Sequence, residues 1–392
     1  MEDVFIVAAK RLPVGGLMGS LSHLSATELG AIAIKETYTA AGIVPERIDE
    51  VYMGNVLSAN VGQSPARQAA IFAGIPDTAD ATTINKVCAS GMKAAMIGAQ
   101  QIQLGSADVV MAGGMESMSN VPHYNYLRQG HKYGDVALTD GMIKDGLWDV
   151  YNDFHMGSAA ELCAREYNIS REAQDVYALA SYAKAAKAAA DGKFDSEMIA
   201  VTVKQKTGDI IISKDEDVYK VIPDKVAKLK PAFEENGTVT AANASNLNDG
   251  AAAILLVSAE ALKQYGLQPL ARIVGFADAA GAPEWFTTAP SKAIPRALAS
   301  AGLTLADVDF FEINEAYSAV VLANQQILGI DPAKVNLYGG AVAIGHPLGA
   351  SGARVICTLL SVLRQEGGRY GIAAICNGGG GASALVIENL SL

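Results

Sequence analysis

Apolar and polar positions alternate along this 392-residue chain in blocks, and the period of each block is that of a strand or of a helix. Residues 4–9 (VFIVAA) form a short continuous apolar run, which is typical of a buried strand. After Cys88 the period becomes helical, with one face formed by Met92, Met96, Ala99 and Gln103. Gly105 follows that face and is predicted to end the helix. Both kinds of element recur further along the chain.

The pattern repeats itself after a shift of 260 residues. Residues 31–60 align without a gap with 291–320, and both segments predict an amphipathic helix, a glycine stop and an apolar strand. A shift of 261 then sets CASGMKA (88–94) on GASGARV (349–355), so that Ala-Ser-Gly begins a helical period in each copy. Strands that alternate with helices predict layered α/β sheets, here built from two duplicated halves.

Residues 119–245 lie between the two copies, do not fit the repeat and are rich in Tyr, Asn, Lys and Asp. We interpret them as an inserted loop domain, the usual place for ligand contacts on a rigid scaffold. The predicted organisation is therefore an N-terminal half over 1–118 that is completed by about 246–268, the insertion over 119–245, and a C-terminal half over 269–392.

Charge and apolar content exclude several classes of partner. The chain has 30 Lys and Arg against 41 Asp and Glu, a net charge of −11, so non-specific binding to nucleic acid or to an anionic membrane is not expected. The longest apolar runs, such as residues 251–257, fall far short of the ~18 residues that span a bilayer. The N-terminus has neither a signal-peptide nor a transit-peptide pattern, which predicts a cytoplasmic protein, although a processed organelle form would look the same.

Four cysteines, at positions 88, 163, 357 and 376, include no CxxC pair. This spacing predicts free thiols in a reducing compartment. No cluster of Cys and His has the spacing of metal ligands, so no metal site is predicted.

Reactive side chains lie beside glycines in four stretches: NKVCASGMKA, FEINEAYSA, AIGHPLGASG and ICNGGGGASA. Cys88 falls at the predicted start of a helix, where the helix dipole would lower the thiol pKa and favour a nucleophile. The alternative is a buried small apolar residue, and Cys163 and Cys357 are interpreted that way. His346 taken alone would be a hydrogen-bonded turn residue, but the repeat sets it opposite Asn85, so that a base could reach the thiol.

Two further positions stay open between a structural and a chemical role. Cys376 precedes the glycines 378–381, which could form a tight turn between antiparallel strands or supply amide groups to an oxyanion, with the thiol exchanging protons. Asn314 and Glu315 close an apolar strand, where Asn could either cap a helix or take part in chemistry.

In this order and spacing, the four stretches resemble the motifs of the thiolase family over the whole chain, in particular those of its acetoacetyl-CoA thiolase branch. The resemblance implies a five-layer αβαβα fold of two duplicated halves, with the inserted loop domain covering the substrate, in a homodimer or homotetramer. It also implies acetyl-CoA C-acetyltransferase activity: two acetyl-CoA form acetoacetyl-CoA and CoA, reversibly, through an acetyl-cysteine in a ping-pong sequence. These CoA thioesters are substrates, and no separate cofactor is implied.

Residue by residue, the resemblance makes Cys88 the nucleophile, His346 its activator, and Cys376 the acid and base that moves the α-proton. Asn314 would hold a water in an oxyanion site shared with His346. The backbone amides of Cys88 and Gly378 would form a second oxyanion site. The residues implied to contact CoA or the acyl group are Ser245, His155, Met156, Ala316 and Tyr317.

Two features leave the substrate less defined. Many members of the family have Phe where this chain has Tyr317, which bears on the acyl preference. The lysines at 204, 206, 214, 220, 225, 228 and 230 could meet the CoA phosphates, but such a run is more often a solvated face.

Three other functions remain as alternatives. A degradative 3-ketoacyl-CoA thiolase would use the same chemistry on longer chains, although His155 and Met156 favour the short-chain branch. A ketosynthase-like enzyme acting on a carrier protein would generally pair its cysteine with two histidines or with His and Asn, and Cys376 argues against it. A catalytically silent lipid-binding or scaffold protein would have little reason to keep Cys88, His346 and Cys376 together.

Overall fold

The computed structural model describes residues 2–204 and 208–391. Up to the end of the first half, the elements in chain order are β1 (Val4–Arg11), β2 (Gly15–Gly16), α1 (Ala26–Ala41), β3 (Glu50–Gly54), α2 (Pro65–Phe72), β4 (Asp80–Ile84), α3 (Ser90–Gln103) and β5 (Val109–Ser117). The segment that follows contains β6 (His123–Tyr124), β7 (Thr139–Asp140), β8 (Trp148–Asp149), β9 (Phe154–His155), α4 (Met156–Glu166), α5 (Arg171–Ala190), β10 (Val201–Val203), β11 (Ile210–Ile212) and α6 (Pro223–Val226).

The chain then returns through β12 (Asn248–Ser258) and α7 (Ala259–Gln264). The rest comprises β13 (Ala271–Ala280), α8 (Pro290–Ser300), β14 (Phe310–Ile313), α9 (Ser318–Leu328), α10 (Ala341–Ile344), α11 (Leu348–Glu366), β15 (Tyr370–Asn377) and β16 (Gly381–Asn389). The segment 119–245 lies between β5 and β12, and in its described part α4, α5, α6 and the short strands are linked by loops and turns. The division into domains at 118, 245 and 268 stays a prediction.

The main sheet shows the internal repeat directly. Its strand order is β14-β15-β16-β13-β1-β12-β5-β3-β4. Outward from the centre, each half has an antiparallel pair, a second antiparallel pair and then a parallel pair. The halves join where β1 and β13 run antiparallel, with Val4 opposite Ile273. β3 and β14 begin at Glu50 and Phe310, as the shift of 260 requires. The predicted duplication is confirmed.

Helices cover and separate the two halves of this sheet. α1 packs on β1, β5 and β12, while α8 packs on β13, β15 and β16. α3 and α11 pack against each other, and α11 contacts strands of both halves. The order is therefore outer helices, sheet, α3 with α11, sheet and outer helices, which is the predicted five-layer arrangement. Among the helices of the described ranges, none is long and apolar enough to cross a membrane.

Local sequence signals set the ends of these helices. Ser25 and Glu28 form a capping box at the start of α1, since the Ser25 hydroxyl accepts from the Glu28 amide and the Glu28 carboxylate accepts from the Ser25 amide. Gly42 ends α1 with a φ of 71°, and Gly367 ends α11 with a φ of 76°. The stop at Gly42 is where the sequence predicts it.

The repeated Ala-Ser-Gly explains how closely the central helices approach. A Cβ on Gly352 of α11 would lie 2.3 Å from the backbone nitrogen of Met92, and one on Gly91 of α3 would lie 2.8 Å from that of Ala353. Neither position has room for a side chain. The N-terminal ends of α3 and α11 therefore pack closely against each other. This packing brings the loops that precede the two helices to one place.

Candidate active site

A cavity of about 800 Å³ lies where these two loops meet. Its wall includes Cys88 from the loop ahead of α3, His346 from the loop ahead of α11, and Gly378 from the turn after β15. The substrate-contacting residues implied by the sequence also line it, namely Ser245, His155, Met156, Ala316 and Tyr317. The structure thus brings together residues that are up to 290 positions apart in the sequence.

Cys88 is a half-buried free thiol just before α3, which begins at Ser90. The sequence predicts that the helix start lowers its pKa, and in the structure this is wrong. Burial raises the pKa of the Cys88 thiol to about 12, and the backbone amides of Gly378 and Cys88 oppose this rise only in part. Because desolvation penalises the thiolate more than these amides favour it, the thiol needs a base before it can attack.

His346 is buried, and its surroundings fix the form of its ring. The Ser351 hydroxyl donates to the Pro347 carbonyl at 2.9 Å, so at 2.6 Å it accepts from Nδ1 of His346. This assignment, made from the hydrogen-bond network, leaves Nε2 unprotonated. Burial, followed by the charge of Arg354, lowers the pKa of His346 to about 3. Nε2 has no hydrogen-bond partner within the described residues, so the ring is a neutral base available to the cavity.

Two residues that the sequence does not mark as functional, Asn248 and Ser351, hold His346 in place. Asn248 accepts the backbone N–H of His346 at 2.8 Å, and Ser351 orients the ring. The signal for Ser351 was present, because it is the serine of the repeated Ala-Ser-Gly. Its counterpart Ser90 bonds the loop that carries Cys88 in a similar way, accepting from the Lys86 amide at 2.8 Å. Each copy therefore uses the same serine to fix its own reactive loop.

Cys376 is fully buried near the end of β15, opposite Ala382 of β16. It packs in an apolar cluster with Met156, Ala316 and Tyr317, all of which line the cavity. Burial raises the pKa of the Cys376 thiol well above its usual range, and the neighbouring Cys88 adds to this. The following glycines form the turn between two antiparallel strands, with Gly379 and Gly380 at positive φ. The turn interpretation is confirmed and the turn places Gly378 at the cavity, while the chemical role of this stretch stays a prediction.

Asn314 and Glu315 follow β14 and are both buried. The helix-cap interpretation of Asn314 is wrong, because α9 begins only at Ser318. Asn314 Oδ1 accepts from Arg354 at 3.4 Å, while Nδ2 has no partner among the described residues. Glu315 accepts from Tyr177 at 2.8 Å and from the Ser181 hydroxyl at 2.7 Å, along with other donors. Asn314 thus has a buried donor without a partner in the described residues, but it is not among the residues that line the cavity, whereas Glu315 is a structural anchor.

One wall of the cavity is aromatic. The imidazole of His155 accepts the Gly157 amide at 3.0 Å and stacks on Phe233, with ring centroids 4.7 Å apart. Phe233 in turn meets Tyr317 edge to face, at 6.2 Å and 83°. Phe233 was missed at the sequence level because no local pattern marks it: it joins the site through the fold of the inserted segment.

The lysines of the inserted segment differ in their surroundings in the structure. Lys220 and Lys225 line the cavity, so the solvated-face interpretation does not describe them fully. Lys220 is paired with Glu216 at 2.7 Å and with Asp217 at 2.8 Å. Lys225 has no ion pair within the described part of the chain. Lys206 lies outside the described residues.

Comparisons with known proteins agree with this geometry. The family model described as thiolase, N-terminal domain, matches residues 4–260, and that described as thiolase, C-terminal domain, matches 267–389. The chain is 57% identical to acetyl-CoA acetyltransferase 2 of Arabidopsis thaliana, over 99% of this chain and 98% of that protein. It is 54% identical to a cytosolic acetyl-CoA acetyltransferase of Gibberella zeae, over 100% of this chain and 99% of the other.

A solved structure is similar over the same extent. The Acat5 thiolase from Ascaris suum, determined in complex with coenzyme A, superposes with a TM-score of 0.95 at 43% sequence identity. The match covers 99% of this chain and all of that one.

Proposed function

The chain belongs to the thiolase family, and from this premise we propose that it catalyses the reversible condensation of two acetyl-CoA molecules to acetoacetyl-CoA and CoA. It is an acyltransferase, an acetyl-CoA C-acetyltransferase by its similarity to relatives of that name over its full length. The observation that carries the proposal is the meeting of Cys88, His346 and Gly378 on one cavity, with the Cys376 thiol beside it. Two thiols and a neutral imidazole are the groups that this reaction requires.

The first half-reaction moves one acetyl group to the protein. Nε2 of His346 takes the proton of the Cys88 thiol, and the sulfur attacks the thioester carbonyl of acetyl-CoA. The carbonyl oxygen becomes an oxyanion that accepts from the amides of Cys88 and Gly378. The C–S bond to CoA then breaks, the leaving thiolate collects the proton of Cys376, and CoA departs as the thiol. Acetyl-Cys88, a Cys376 thiolate and protonated His346 remain.

The second half-reaction forms the carbon–carbon bond. The Cys376 thiolate takes an α-proton from a second acetyl-CoA, and its raised pKa suits a base that must remove a weakly acidic proton. The enolate oxygen accepts from protonated His346 and from a water on Nδ2 of Asn314. The enolate carbon attacks acetyl-Cys88, acetoacetyl-CoA leaves, and the Cys88 thiolate recovers its proton from His346. Protons balance over the cycle, and each step also runs backwards.

The short-chain branch is supported by the closed aromatic wall. His155 stacks on Phe233, and Phe233 meets Tyr317 edge to face, so the proposed acyl end of the cavity meets rings on one side. Because such a wall limits the room beyond the thioester, acetyl and acetoacetyl groups are the substrates we propose. A degradative thiolase would accept a series of longer 3-ketoacyl-CoA chains with undiminished kcat/KM.

The direct test is mass spectrometry of the intact protein and its peptides after brief mixing with acetyl-CoA. We expect an acetyl adduct on the peptide that contains Cys88, and its discharge by added CoA. Assay of acetoacetyl-CoA formation and a chain-length series on the same sample complete the test. An adduct that forms only with longer acyl-CoA would favour the degradative alternative, and no adduct with any of them would favour a silent relative.

Asn314→Ala should slow condensation by on the order of 10²–10³, the usual loss when one oxyanion donor is removed. The buried Nδ2 has no other partner within the described residues, so its removal leaves the enolate with a single donor side chain. Stopped-flow measurement of acetoacetyl-CoA formation checks this, and acetylation of Cys88 serves as the internal control because it uses the other oxyanion site. A condensation rate within a few-fold of the wild type would refute the assignment.

Lys225→Ala should raise KM for acetyl-CoA by up to about fivefold, the equivalent of ~1 kcal/mol for an exposed ion pair. The side chain lines the cavity without an ion pair of its own in the described residues, so it can meet the anionic CoA. We expect kcat to stay unchanged and the difference to shrink as ionic strength rises. Lys228→Ala, in the same segment, is the matched control, and an equal rise in KM for both variants would argue for a diffuse field instead.

We also propose a cytoplasmic homodimer or homotetramer that needs no separate cofactor. The relative from Gibberella zeae is named cytosolic, which supports the location. The arm around β6 and β7 exposes large apolar side chains, among them Tyr126, Leu127, Tyr133 and Leu138. An exposed cluster of this kind is typical of a protein interface and supports assembly.

A further inference from the structure

The backbone at Val87, directly before the nucleophile, is left-handed, with a φ of 48°. β-Branched side chains rarely adopt this conformation, because the branch clashes with the neighbouring backbone. The other non-glycine residues at positive φ in the described part of the chain are Met, Asn, Ser and Asp. The strained backbone is therefore at a residue type that tolerates it poorly, and it directly precedes the proposed nucleophile Cys88.

Bonds on both sides hold Val87 in this conformation. The side-chain oxygen of Asn85 accepts the Val87 amide at 3.0 Å, and the Ser90 hydroxyl donates to the Val87 carbonyl at 2.5 Å. The neighbouring Lys86 is tied to the C-terminal half, since its ammonium group pairs with Asp278 and donates to the Ser383 hydroxyl at 2.8 Å. Strain persists only where the surroundings over-determine it, and this turn meets that condition.

The strained torsion acts on the oxyanion donors. The N–H of Cys88 belongs to the peptide between Val87 and Cys88, so the torsions of Val87 set the direction in which that N–H points. The other donor is the amide of Gly378, and a Cβ built there would lie 3.6 Å from Cγ1 of Val87. One side chain is thus joined to the first donor and packed beside the second.

We propose that Val87 is a positioning residue, whose left-handed backbone and β-branched side chain together aim the Cys88 amide at the acyl oxygen alongside that of Gly378. The proposal rests on the acetyl transfer proposed above. Glycine would take this φ without strain, but it would leave the peptide free to rotate. Valine seated against Gly378 removes that freedom, which is a reason for a strained residue to stand here.

Three variants and one control test the proposal. Val87→Gly keeps the allowed φ but frees the peptide, so we expect kcat for Cys88 acetylation to fall at least about tenfold, within the limit of roughly 10²–10³ for a deleted donor, with KM near the wild-type value. Val87→Thr keeps the branch and should stay close to the wild-type rate. Ser64→Gly relieves a left-handed residue at φ 47° on an exposed turn, and it should leave kinetics unchanged.

Val87→Ala provides a measurement that does not depend on activity. Elsewhere Ala is more stable than Gly, but at positive φ the order reverses. We expect Val87→Gly to melt above Val87→Ala. A wild-type kcat in Val87→Gly, or a higher melting temperature for Val87→Ala, would overturn the proposal. Failure of the wild type itself to become acetylated would instead sink the proposed function, while the comparison of melting temperatures would stand.

Discussion

We expect Cys88→Ala to lose acetyl transfer by on the order of 10⁴–10⁶ in kcat, the range seen when a catalytic nucleophile is removed. The loss should be this large because Cys376, the other thiol beside the cavity, is fully buried in the apolar cluster. In the proposed mechanism it is placed to exchange protons with the substrate, not to attack the thioester carbonyl. The measurement is the acetyl adduct by mass spectrometry together with the steady-state rate.

Two further variants serve as controls for this result. Cys357→Ala removes a buried thiol of α11 whose Sγ lies 3.7 Å from the Lys10 carbonyl, and it should still form the adduct. Cys88→Ser keeps the size of the side chain but offers a hydroxyl that His346 can deprotonate only poorly, so it should bind acetyl-CoA without turning over. An adduct on any cysteine of Cys88→Ala would show that the nucleophile has been assigned to the wrong residue.

The sequence predicts the framework of this molecule well because the framework is periodic. The shift of 260 residues places β14 on β3 and α8 on α1, and the structure repeats both. The same repeat set His346 opposite Asn85, which is how two loops from distant parts of the chain could be expected at one site. A single copy would not have indicated this.

The features that the sequence does not predict depend on contacts and burial by residues that lie far apart along the chain. The helix start before Ser90 is a local feature and predicts an acidic thiol at Cys88, yet the inserted segment and the opposite half desolvate that thiol and reverse the direction of the shift. The roles of Asn248 and Phe233 are equally non-local. The left-handed φ of Val87 has no sequence signal either, since valine is a residue that would not be expected to adopt it.

The two thiols therefore differ from ordinary cysteines in the same direction, and this shapes the chemistry. Both Cys88 and Cys376 have pKa values raised by burial, so at neutral pH the resting site holds two thiols and a neutral His346. The reactive groups themselves are therefore uncharged between turnovers. In the proposed mechanism they become charged only when a thioester is present to share that charge with the oxyanion donors.

Cys376→Ser should separate the two half-reactions. The hydroxyl is a far weaker acid than the thiol, so it can neither supply a thiolate base nor readily protonate the leaving CoA, and we expect condensation to fall by on the order of 10²–10⁴. The acetyl adduct on Cys88 should still form, more slowly, because the nucleophile, His346 and the amide donors are intact. Exchange of the α-protons of acetyl-CoA with deuterated water reports on the missing base directly, and it should disappear in this variant.

The same exchange distinguishes Cys376 from its neighbours. Asn314→Ala should slow the exchange without abolishing it, because the base is present and only the stabilisation of the enolate is weakened. Cys163→Ala, at another buried cysteine, should leave the exchange unchanged. Undiminished exchange in Cys376→Ser would assign the α-proton to His346, the other base at the cavity, and the thiol would then be a packing residue of the apolar cluster.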